Sequence, residues 1–207
     1  SATNHIGGQF TILPGAAFPQ AKNEIENFIP VARISDLLLK PNENFNFDGK
    51  KYKYPDTKIV YWAGGNPFHH HQDLNRLIKA WEKPDTIICN EWCWNTLAKR
   101  SDIVLPCTTP LERKDIMMTP RDPYVVSMSK LVDPYGQARN DYEIFTGIAK
   151  KMGVEKKFTE SRNQEEWQEW IYNQTFDRAA AANIKIPTYK KFREDGWFKV
   201  TDPKEPT

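Results

Sequence analysis

A polar turn near the middle of the chain carries residue types that could bind a phosphate group. Gly64, Gly65, Asn66 and Pro67 follow a short apolar run and precede an amphipathic segment. The two glycines permit positive φ angles and let a ligand approach bare backbone, while the proline forces a turn. The turn is not GxGxxG and lacks the Lys-Ser/Thr of a P-loop. The residues therefore leave two interpretations open, a phosphate-binding turn and a plain connection between a strand and a helix.

A second polar pair, Asn90 and Glu91, follows the next apolar run. Asn90 comes 24 residues after Asn66. In doubly wound folds an acidic group about 20 residues beyond the phosphate turn binds a ribose hydroxyl. The pair is equally compatible with a solvated turn. A third polar segment, residues 112–115, contains Arg113 and is compatible with a surface charge run as well as with a binding site.

The histidines and cysteines do not predict a metal site. Three adjacent histidines at residues 69–71 cannot all face one ion on a regular element, and no carboxylate stands in the zincin position. They indicate a polar loop at the start of a helix, or else a histidine that contacts a buried ligand or a domain partner. Cys89, Cys93 and Cys107 form no CxxC pair. We expect Cys89 and Cys107 to behave as small buried apolar residues. The sequence shows no nucleophile–base pair and no pair of catalytic carboxylates.

The elements that must position these residues follow from the apolar pattern. Residues 59–63 and 86–89 are typical of buried strands, and residues 103–105 are typical of a third strand. Residues 74–81 and about 93–100 are typical of helices. Alternating strands and helices at this spacing predict a parallel sheet. Because ligands of such sheets bind at the carboxyl ends of the strands, the loops after the three strands are the expected site.

Other segments flank this sheet. We expect a helix at residues 29–39 with Pro30 in its first turn. Residues 41–54, with a turn at Asp48 and Gly49, are expected to form a hairpin or an irregular excursion. Further elements are predicted as a strand at 124–128, a helix at 142–152 capped by Asn140 or Asp141, a helix at 165–178, and an extended tail from residue 184 onward.

Composition narrows the function classes. The 207 residues allow one sizeable core or one domain with appendages. The net charge is +2, from 29 basic and 27 acidic residues, and so gives no indication of a nucleic-acid partner. No apolar run approaches the roughly 18 to 20 residues that span a membrane, so membrane insertion is not predicted. The first residues show neither a signal peptide nor an initiating Met, so we expect a segment cut from a longer protein.

Four stretches carry a family resemblance that runs from about residue 24 to residue 152. They are FIPVARISDLLL, YWAGGNPFHHHQDLNRLIKAW, SDIVLPCTTPLERKDI and DPYGQARNDYEIF. Together they resemble the molybdopterin-dependent oxidoreductases of the dimethyl sulfoxide reductase family. The likeness is closest to the branches that reduce trimethylamine N-oxide and biotin sulfoxide.

The resemblance implies a molybdenum enzyme several times longer than this chain. Such enzymes hold molybdenum between two molybdopterin guanine dinucleotides. They take an oxygen atom from an N-oxide or S-oxide, and a partner such as a c-type cytochrome supplies two electrons. The N-oxide reductases are usually periplasmic, the expected location here, and the biotin sulfoxide reductases are cytoplasmic. The chain resembles one interior domain that holds one guanine dinucleotide arm and that needs the remaining domains of its parent.

The resemblance also implies a set of cofactor-contacting positions. Gly64, Gly65 and Asn66 offer backbone and amide donors to phosphate. Asn90 and Glu91, where relatives commonly show Ser-Asp, can bond ribose or guanine. Arg113 can pair with pyrophosphate. Asp141 can accept from guanine N–H groups. The metal-ligating serine has no counterpart here, so we expect the isolated chain to contain no catalytic residues and no metal ligands, and to be inactive.

The expected fold class is α/β, a Rossmann-like three-layer domain with a mostly parallel sheet and irregular N- and C-terminal extensions. We predict a linker at residues 1–22, the molybdopterin guanine dinucleotide-binding domain at 23–155, and a helical and extended C-terminal extension at 156–207. Two alternatives stay open: a free-standing nucleotide-binding module without redox chemistry, and a scaffold domain that has lost its ligand.

Overall fold

The computed structural model describes residues 28–118, 124–181 and 183–200. These residues form two compact units. The parallel-sheet unit contains residues 28–107 and 136–141. The antiparallel-sheet unit contains residues 108–118, 124–135, 142–181 and 183–200. The linker predicted at residues 1–22 lies outside the described residues, and the boundary predicted at residue 155 falls on the first residue of a helix.

The parallel-sheet unit contains helices, 3₁₀ turns and five strands among its described residues. Its elements are a 3₁₀ turn at Val31–Arg33, α1 (Ile34–Leu39), β1 (Asn44–Phe47), β2 (Lys50–Lys53), β3 (Ile59–Ala63), α2 (Pro67–His70), α3 (Leu74–Trp81), β4 (Thr86–Glu91), a 3₁₀ turn at Ala98–Arg100, and β5 (Ile103–Pro106).

Strands β3, β4 and β5 form a parallel sheet in that order. The predicted α/β fold with a parallel sheet is therefore confirmed. Strand β4 lies in the centre and is largely buried, as predicted. The prediction that β3 is buried is wrong, because none of its residues is fully buried and Ile59 at its start is 61% exposed. Ile103 at the start of β5, the other flanking strand, is 46% exposed. Within the described residues, each flanking strand has a sheet neighbour on one side.

Helix α3 supplies the apolar face that covers the sheet. Leu77 and Trp81 are buried against Ile87 and Cys89 of β4, as the helical spacing predicts. Leu74, which the same spacing places on this face, is 41% exposed because it is the first residue of the helix. The side chain of Asp73 accepts a hydrogen bond from the Arg76 amide at 3.2 Å and so caps the helix.

The hairpin predicted at residues 41–54 is confirmed by antiparallel pairing of β1 with β2. Asp48 and Gly49 have φ angles of 49° and 72°, as a tight hairpin turn requires. The rings of Phe45 and Tyr54 stack with centroids 4.3 Å apart, which gives this small sheet a buried apolar side.

The helix predicted at residues 93–100 is wrong except for the short turn at Ala98–Arg100. Asn95 explains the difference. Its Oδ1 accepts from the Ala98 amide at 3.0 Å, and its Nδ2 donates to Glu91. A short polar side chain that bonds nearby groups in this way competes with regular helix formation.

The antiparallel-sheet unit joins three strands with four helices among its described residues. Its elements are a 3₁₀ turn at Pro110–Glu112, β6 (Asp115–Met118), β7 (Tyr124–Met128), α4 (Asp141–Lys151), α5 (Glu155–Thr159), α6 (Gln164–Ala181), α7 (Tyr189–Asp195) and β8 (Trp197–Lys199). Helix α4 begins in the parallel-sheet unit, at Asp141.

Strand β7 pairs with both β6 and β8, which confirms the strand predicted at 124–128. The tail predicted to be extended from residue 184 is instead partly regular, because Thr188 caps α7 and Gly196 ends it with φ 82°. Tyr172 of α6 stacks on Phe192 of α7 with ring centroids 4.9 Å apart. This buried pair holds α7 in place and allows β8 to join the sheet.

Candidate functional site

The candidate site lies at the carboxyl edge of the parallel sheet. Ala63 pairs with Asn90, and Glu91 pairs with Pro106, so the three strands end side by side. The backbone amide of Cys107 donates to the carbonyl of Glu91 at 3.3 Å, which keeps the chain after β5 close to the end of β4. The segment before α4 returns to the same edge, where the Arg139 amide donates to the carbonyl of Pro106 at 3.1 Å. The starts of all three predicted loops and the N-terminus of α4 thus lie in one unit.

Asn90 and Asp141 are in direct contact. The Nδ2 of Asn90 donates to Oδ1 of Asp141 at 2.7 Å, although the residues lie 51 positions apart. The Oδ1 of Asn90 in turn accepts from the Tyr61 hydroxyl at 2.7 Å. Asn90 is buried, whereas Asp141 is exposed. The three side chains therefore form a chain of hydrogen bonds that leads from strand β3 to a carboxylate at the surface.

The hydroxyl of Tyr61 stays protonated over the ordinary pH range. Burial raises the pKa of this phenol, and the nearby charge of Asp141 raises it further. The hydrogen bond to Asn90 opposes this but does not reverse it. Tyr61 is consequently a hydrogen-bond donor in this arrangement.

Glu91 organises the turn that follows β4. Its Oε1 accepts from the Trp92 amide at 3.0 Å, and its Oε2 accepts from Nδ2 of Asn95 at 2.6 Å. The side chain is buried, and these donors compensate for taking a carboxylate away from water. The neighbouring Trp92 and Trp94 are instead 66% and 71% exposed.

The turn after β3 leaves open space beside its backbone. Gly64 and Gly65 have φ angles of 81° and 73°, a conformation that residues with a Cβ rarely adopt. A Cβ built on either glycine would meet no atom within 4 Å. The carbonyl of Gly64 accepts from the Trp62 indole N–H at 2.8 Å, which fixes the first peptide of the turn. Glycine is therefore required here for conformation, and the space next to it is available to a ligand.

Asn66 begins helix α2 and holds an unused donor. Its Oδ1 accepts from the Phe68 amide at 3.0 Å, which makes it the N-cap of the helix. Its Nδ2 is buried and has no hydrogen-bond partner among the described residues. Buried polar groups are nearly always paired, so this donor is an exception that a bound group could explain.

Arg113 belongs to the antiparallel-sheet unit. Its Nη1 donates to the carbonyl of Thr108 at 2.7 Å, and its Nε donates to Oδ2 of Asp115 at 3.0 Å. The Glu112 carboxylate accepts hydrogen bonds from the Thr109 amide, the Tyr135 amide and the Thr109 hydroxyl, and these bonds lower the pKa of the carboxyl group. The bonds with Thr109 also cap the 3₁₀ turn at Pro110–Glu112. The charge run predicted at residues 112–115 is therefore locally ordered, with Arg113 held in a fixed orientation.

The histidines and cysteines do not converge. His69 and His70 are exposed on α2, whereas His71 is half-buried and meets the edge of Trp62 with ring centroids 6.4 Å apart. Burial lowers the pKa of His71, and the neighbouring His70 lowers it further. Cys89 is fully buried, as predicted, but Cys107 is only partly buried. No group of three potential metal ligands occurs among the described residues.

Sequence reasoning missed Tyr61 and Asn95. Tyr61 was assigned to a buried strand, and strand periodicity by itself does not show that its hydroxyl reaches the next strand. Asn95 lies within the segment misassigned to a helix, where its side chain would have pointed away from Glu91 or into solvent. Tyr61 carries a polar hydroxyl inside an apolar run, and Asn95 is a short polar residue four positions after Glu91. Those are the signals that could have marked them.

No helix within the described ranges has both the length and the apolar character needed to cross a bilayer.

Comparison with known proteins shows extensive similarity to parts of longer enzymes. The family model for Molybdopterin oxidoreductase matches residues 2–151. A biotin sulfoxide reductase of Cereibacter sphaeroides is 41% identical over 92% of this chain and 26% of its own length. A trimethylamine-N-oxide reductase of Haemophilus influenzae is 43% identical over 93% of this chain and 24% of its own length. A dimethyl sulfoxide/trimethylamine N-oxide reductase of Rhodobacter capsulatus is 42% identical over 84% of this chain.

The chain spans about a quarter of the length of these relatives, between 22% and 26%. Among solved structures, the acetylene hydratase of Pelobacter acetylenicus aligns with a TM-score of 0.54 over 72% of this chain and 19% of its own. At 17% sequence identity that likeness shows a shared fold. Because the family model matches well over half of the chain, and relatives of more than 40% identity accompany it, the chain belongs to the molybdopterin oxidoreductase family, as its resemblance predicts.

Proposed function

We propose that this chain is the part of a molybdenum-dependent reductase that binds one guanine dinucleotide arm of a bis(molybdopterin guanine dinucleotide) cofactor. The parent enzyme removes an oxygen atom from N-oxides or S-oxides. Family membership supports the cofactor class, and the similarity to reductases of biotin sulfoxide and trimethylamine N-oxide supports the substrate class. The relatives are about four times longer than this chain, so the remaining domains of the parent are its first partners.

The observation that carries the proposal is the arrangement at the carboxyl edge of the sheet. The exposed carboxylate of Asp141 is held by Asn90, and the open glycine turn follows the strand that pairs with Asn90. A carboxylate is an acceptor suited to the N–H groups of guanine, and exposed backbone amides at a glycine turn suit phosphate. The carboxyl edge is also where open parallel sheets bind nucleotides.

The residues present fit a guanine dinucleotide. Asp141 has a second carboxylate oxygen, Oδ2, beyond the one that accepts from Asn90. Gly64 and Gly65 adjoin space that no protein atom fills within 4 Å of their missing side chains. Asn66 has a buried amide donor without a partner among the described residues. The supply of donors and acceptors is therefore of the kind that a base and a pyrophosphate use.

Each residue then has a role in binding and orientation. Asp141 accepts from the guanine N–H groups. Asn90 and Glu91 contact the ribose or the base, and Arg113 pairs with pyrophosphate charge. When bound, the molybdenum cofactor supplies the two-electron oxygen-atom transfer. The chain itself holds and orients the arm, so we expect the isolated chain to show no N-oxide reduction with a dithionite-reduced viologen dye.

The parent enzyme receives its electrons from a partner protein such as a c-type cytochrome. We propose a periplasmic location for an enzyme that acts on trimethylamine N-oxide, and a cytoplasmic one for an enzyme that acts on biotin sulfoxide.

The test is a titration of the isotope-labelled 207-residue chain with GDP, followed by amide NMR. We expect shifts to cluster at the glycine turn, at Asn90 and Glu91, and at Asp141. Titration with ADP serves as the control for the base, and titration with inorganic phosphate serves as the control for the anion. A well-dispersed spectrum that GDP leaves unchanged would contradict recognition of the arm by this chain.

A further inference from the structure

The Asp141 carboxylate is supported by a chain of hydrogen bonds that begins at Tyr61 on the neighbouring strand. Tyr61 donates to Oδ1 of Asn90 at 2.7 Å, and Nδ2 of Asn90 donates to Oδ1 of Asp141 at the same distance. Asn90 is 4% exposed, so water has almost no access to its amide. Both ends of the amide are therefore satisfied by these two partners, one on each side.

The direction of this chain of hydrogen bonds is fixed by the Asp141 carboxylate, which can only accept. A carboxamide has one accepting end and one donating end. If the Asn90 amide turned over, its oxygen would face the Asp141 carboxylate and its NH₂ group would face the Tyr61 hydroxyl. Two acceptors would then stand at hydrogen-bond distance in a buried place, which is costly. In the orientation that supports Asp141, the buried Oδ1 of Asn90 needs a donor, and the Tyr61 hydroxyl supplies it.

We infer that Tyr61 is a positioning residue that sets the specificity of this site for guanine over other purine bases. The inference rests on the proposed function. With Oδ1 of Asp141 held by Asn90, the carboxylate keeps one orientation and presents Oδ2 to a ligand. Guanine offers two adjacent donor groups, N1–H and the 2-amino group, to such a carboxylate. Hypoxanthine lacks the 2-amino group, and adenine has an acceptor at N1.

A fixed carboxylate discriminates between these bases better than a mobile one. A site built to bond a donor rejects an analogue that lacks it, because the site is then left unpaired. A mobile carboxylate can instead turn toward the N1–H group alone or toward water, so that the missing amino group matters less. Loss of Tyr61 should therefore reduce the selectivity as well as the affinity.

The first experiment measures binding of GDP, IDP and ADP to the 207-residue chain by calorimetry. We expect the wild type to prefer GDP to IDP by about tenfold. In Tyr61→Phe, GDP binding should weaken by about fivefold and the preference over IDP should fall to about twofold. Tyr52→Phe is the matched control, since it removes the same hydroxyl from strand β2 of the same unit, and it should behave as the wild type. If Tyr61→Phe keeps both the affinity and the selectivity of the wild type, the inference is overturned.

The second experiment needs no nucleotide. NMR of the Asn90 side-chain amide should show that Tyr61→Phe shifts both amide proton signals and speeds their exchange with water several-fold, while Tyr52→Phe changes neither. Unchanged Asn90 signals in Tyr61→Phe would refute the positioning role. If the wild type does not bind GDP, the proposed function fails, the specificity claim fails with it, and the amide signals decide the positioning role separately.

A third variant removes the support of Asp141 directly. Asn90→Asp keeps an acceptor for Tyr61 and removes the donor to Asp141. It should weaken GDP binding at least as much as Tyr61→Phe does. Binding as tight as in the wild type would show that support of Asp141 by this chain of hydrogen bonds does not matter.

Discussion

Asp36 on helix α1 accepts a hydrogen bond from the guanidinium of Arg76 on helix α3, a residue 40 positions later in the chain. Lys40, one turn further along the chain, stands 3.4 Å from the same carboxylate oxygen. The hydrogen bond from Arg76 is the main reason why the pKa of Asp36 lies below its ordinary value of 3.8, with smaller contributions from the charges of Arg76 and Lys40 against an opposing effect of burial. The ion pair thus links the two helices that cover one side of the parallel sheet.

The first prediction concerns the pH dependence of this ion pair. Because the pKa of Asp36 is lower in the folded than in the unfolded state, its stabilising effect is present above pH 3.8 and is lost as the pH falls through the folded-state pKa. Asp36→Asn should lower the free energy of unfolding by about 0.5 to 1 kcal/mol at pH 7, a small value because both side chains are partly solvated. Urea unfolding at pH 7 and near pH 3 should show the difference shrinking at low pH. Asp56→Asn, which removes a more exposed carboxylate paired with Lys58, is the control and should cost less.

The second prediction concerns the glycine turn. Gly64→Ala or Gly65→Ala should each cost about 1 to 2 kcal/mol of stability, since each places a Cβ in the left-handed region. The cost is conformational, because the added Cβ would meet no neighbouring atom within 4 Å. Gly147→Ala on helix α4 offers the contrast: its φ is not positive and its space is also open, so it should stabilise by about 0.5 to 1 kcal/mol. Equal destabilisation by all three changes, measured by thermal unfolding, would contradict this reasoning.

The third prediction concerns Glu91. Glu91→Gln replaces one of two accepting oxygens with a donor, which then faces either the Trp92 amide or the Asn95 amide, both of them donors. We expect a loss of about 1 to 3 kcal/mol in the free energy of unfolding, because a buried donor is left without a partner. Glu82→Gln, an exposed position at the end of α3, should change stability by less than about 0.5 kcal/mol. Similar effects of the two substitutions would argue against a structural role for the Glu91 carboxylate.

The fourth prediction concerns Asp141. Asp141→Asn keeps the shape of the side chain and puts an amide where the guanine N–H groups need an acceptor. GDP binding should weaken by about tenfold or more, since a charge-assisted hydrogen bond is lost. Asp133→Asn, which removes an exposed carboxylate paired with Lys130, should leave GDP affinity unchanged and so control for net charge. Unaltered binding in Asp141→Asn would remove Asp141 from the proposed site.

The fifth prediction concerns the core of the antiparallel-sheet unit. The hydroxyl of Tyr172 donates to the carbonyl of Pro187 at 2.8 Å, and burial raises the pKa of this phenol. Tyr172→Phe should cost about 1 kcal/mol by removing that bond. Tyr172→Ala should cost about 3 to 5 kcal/mol, because it also removes a buried ring that stacks on Phe192. Chemical denaturation of the two variants separates the contribution of the hydroxyl from that of the ring.

Local sequence patterns predicted the elements of the parallel sheet but not the exposure of its strands. Apolar runs mark β3 and β5 as strands, but a run carries no information about whether a strand has one neighbour or two. Ile59 and Ile103 are apolar and yet exposed for that reason. Conversely, the 3.6-residue spacing of α3 correctly predicted Leu77 and Trp81 in the core. The helical repeat alone determines which residues lie on the same face of a helix, whatever packs against it.

The candidate site was predictable where it depends on turns and strand ends, and not where it depends on side chains from distant segments. Gly64, Gly65, Asn90 and Glu91 follow apolar runs, and the end of a run is visible in the sequence. The contact between Asn90 and Asp141 joins residues 51 positions apart and follows from the tertiary structure. Tyr61 and Asn95 were missed because their polar atoms act across strands or turns that local periodicity does not describe.

The chain of hydrogen bonds through Tyr61, Asn90 and Asp141 also bears on how the polypeptide assembles during synthesis. Its two links span 29 and 51 residues, so it requires long-range closure after the three strands have been made. A nascent chain that ends before residue 141 contains β3, β4 and β5 and lacks the carboxylate at their edge. A ribosome-bound product of that length therefore lacks the acceptor for the Nδ2 group of Asn90, and emergence of the next segment is the step that completes the proposed surface for a base.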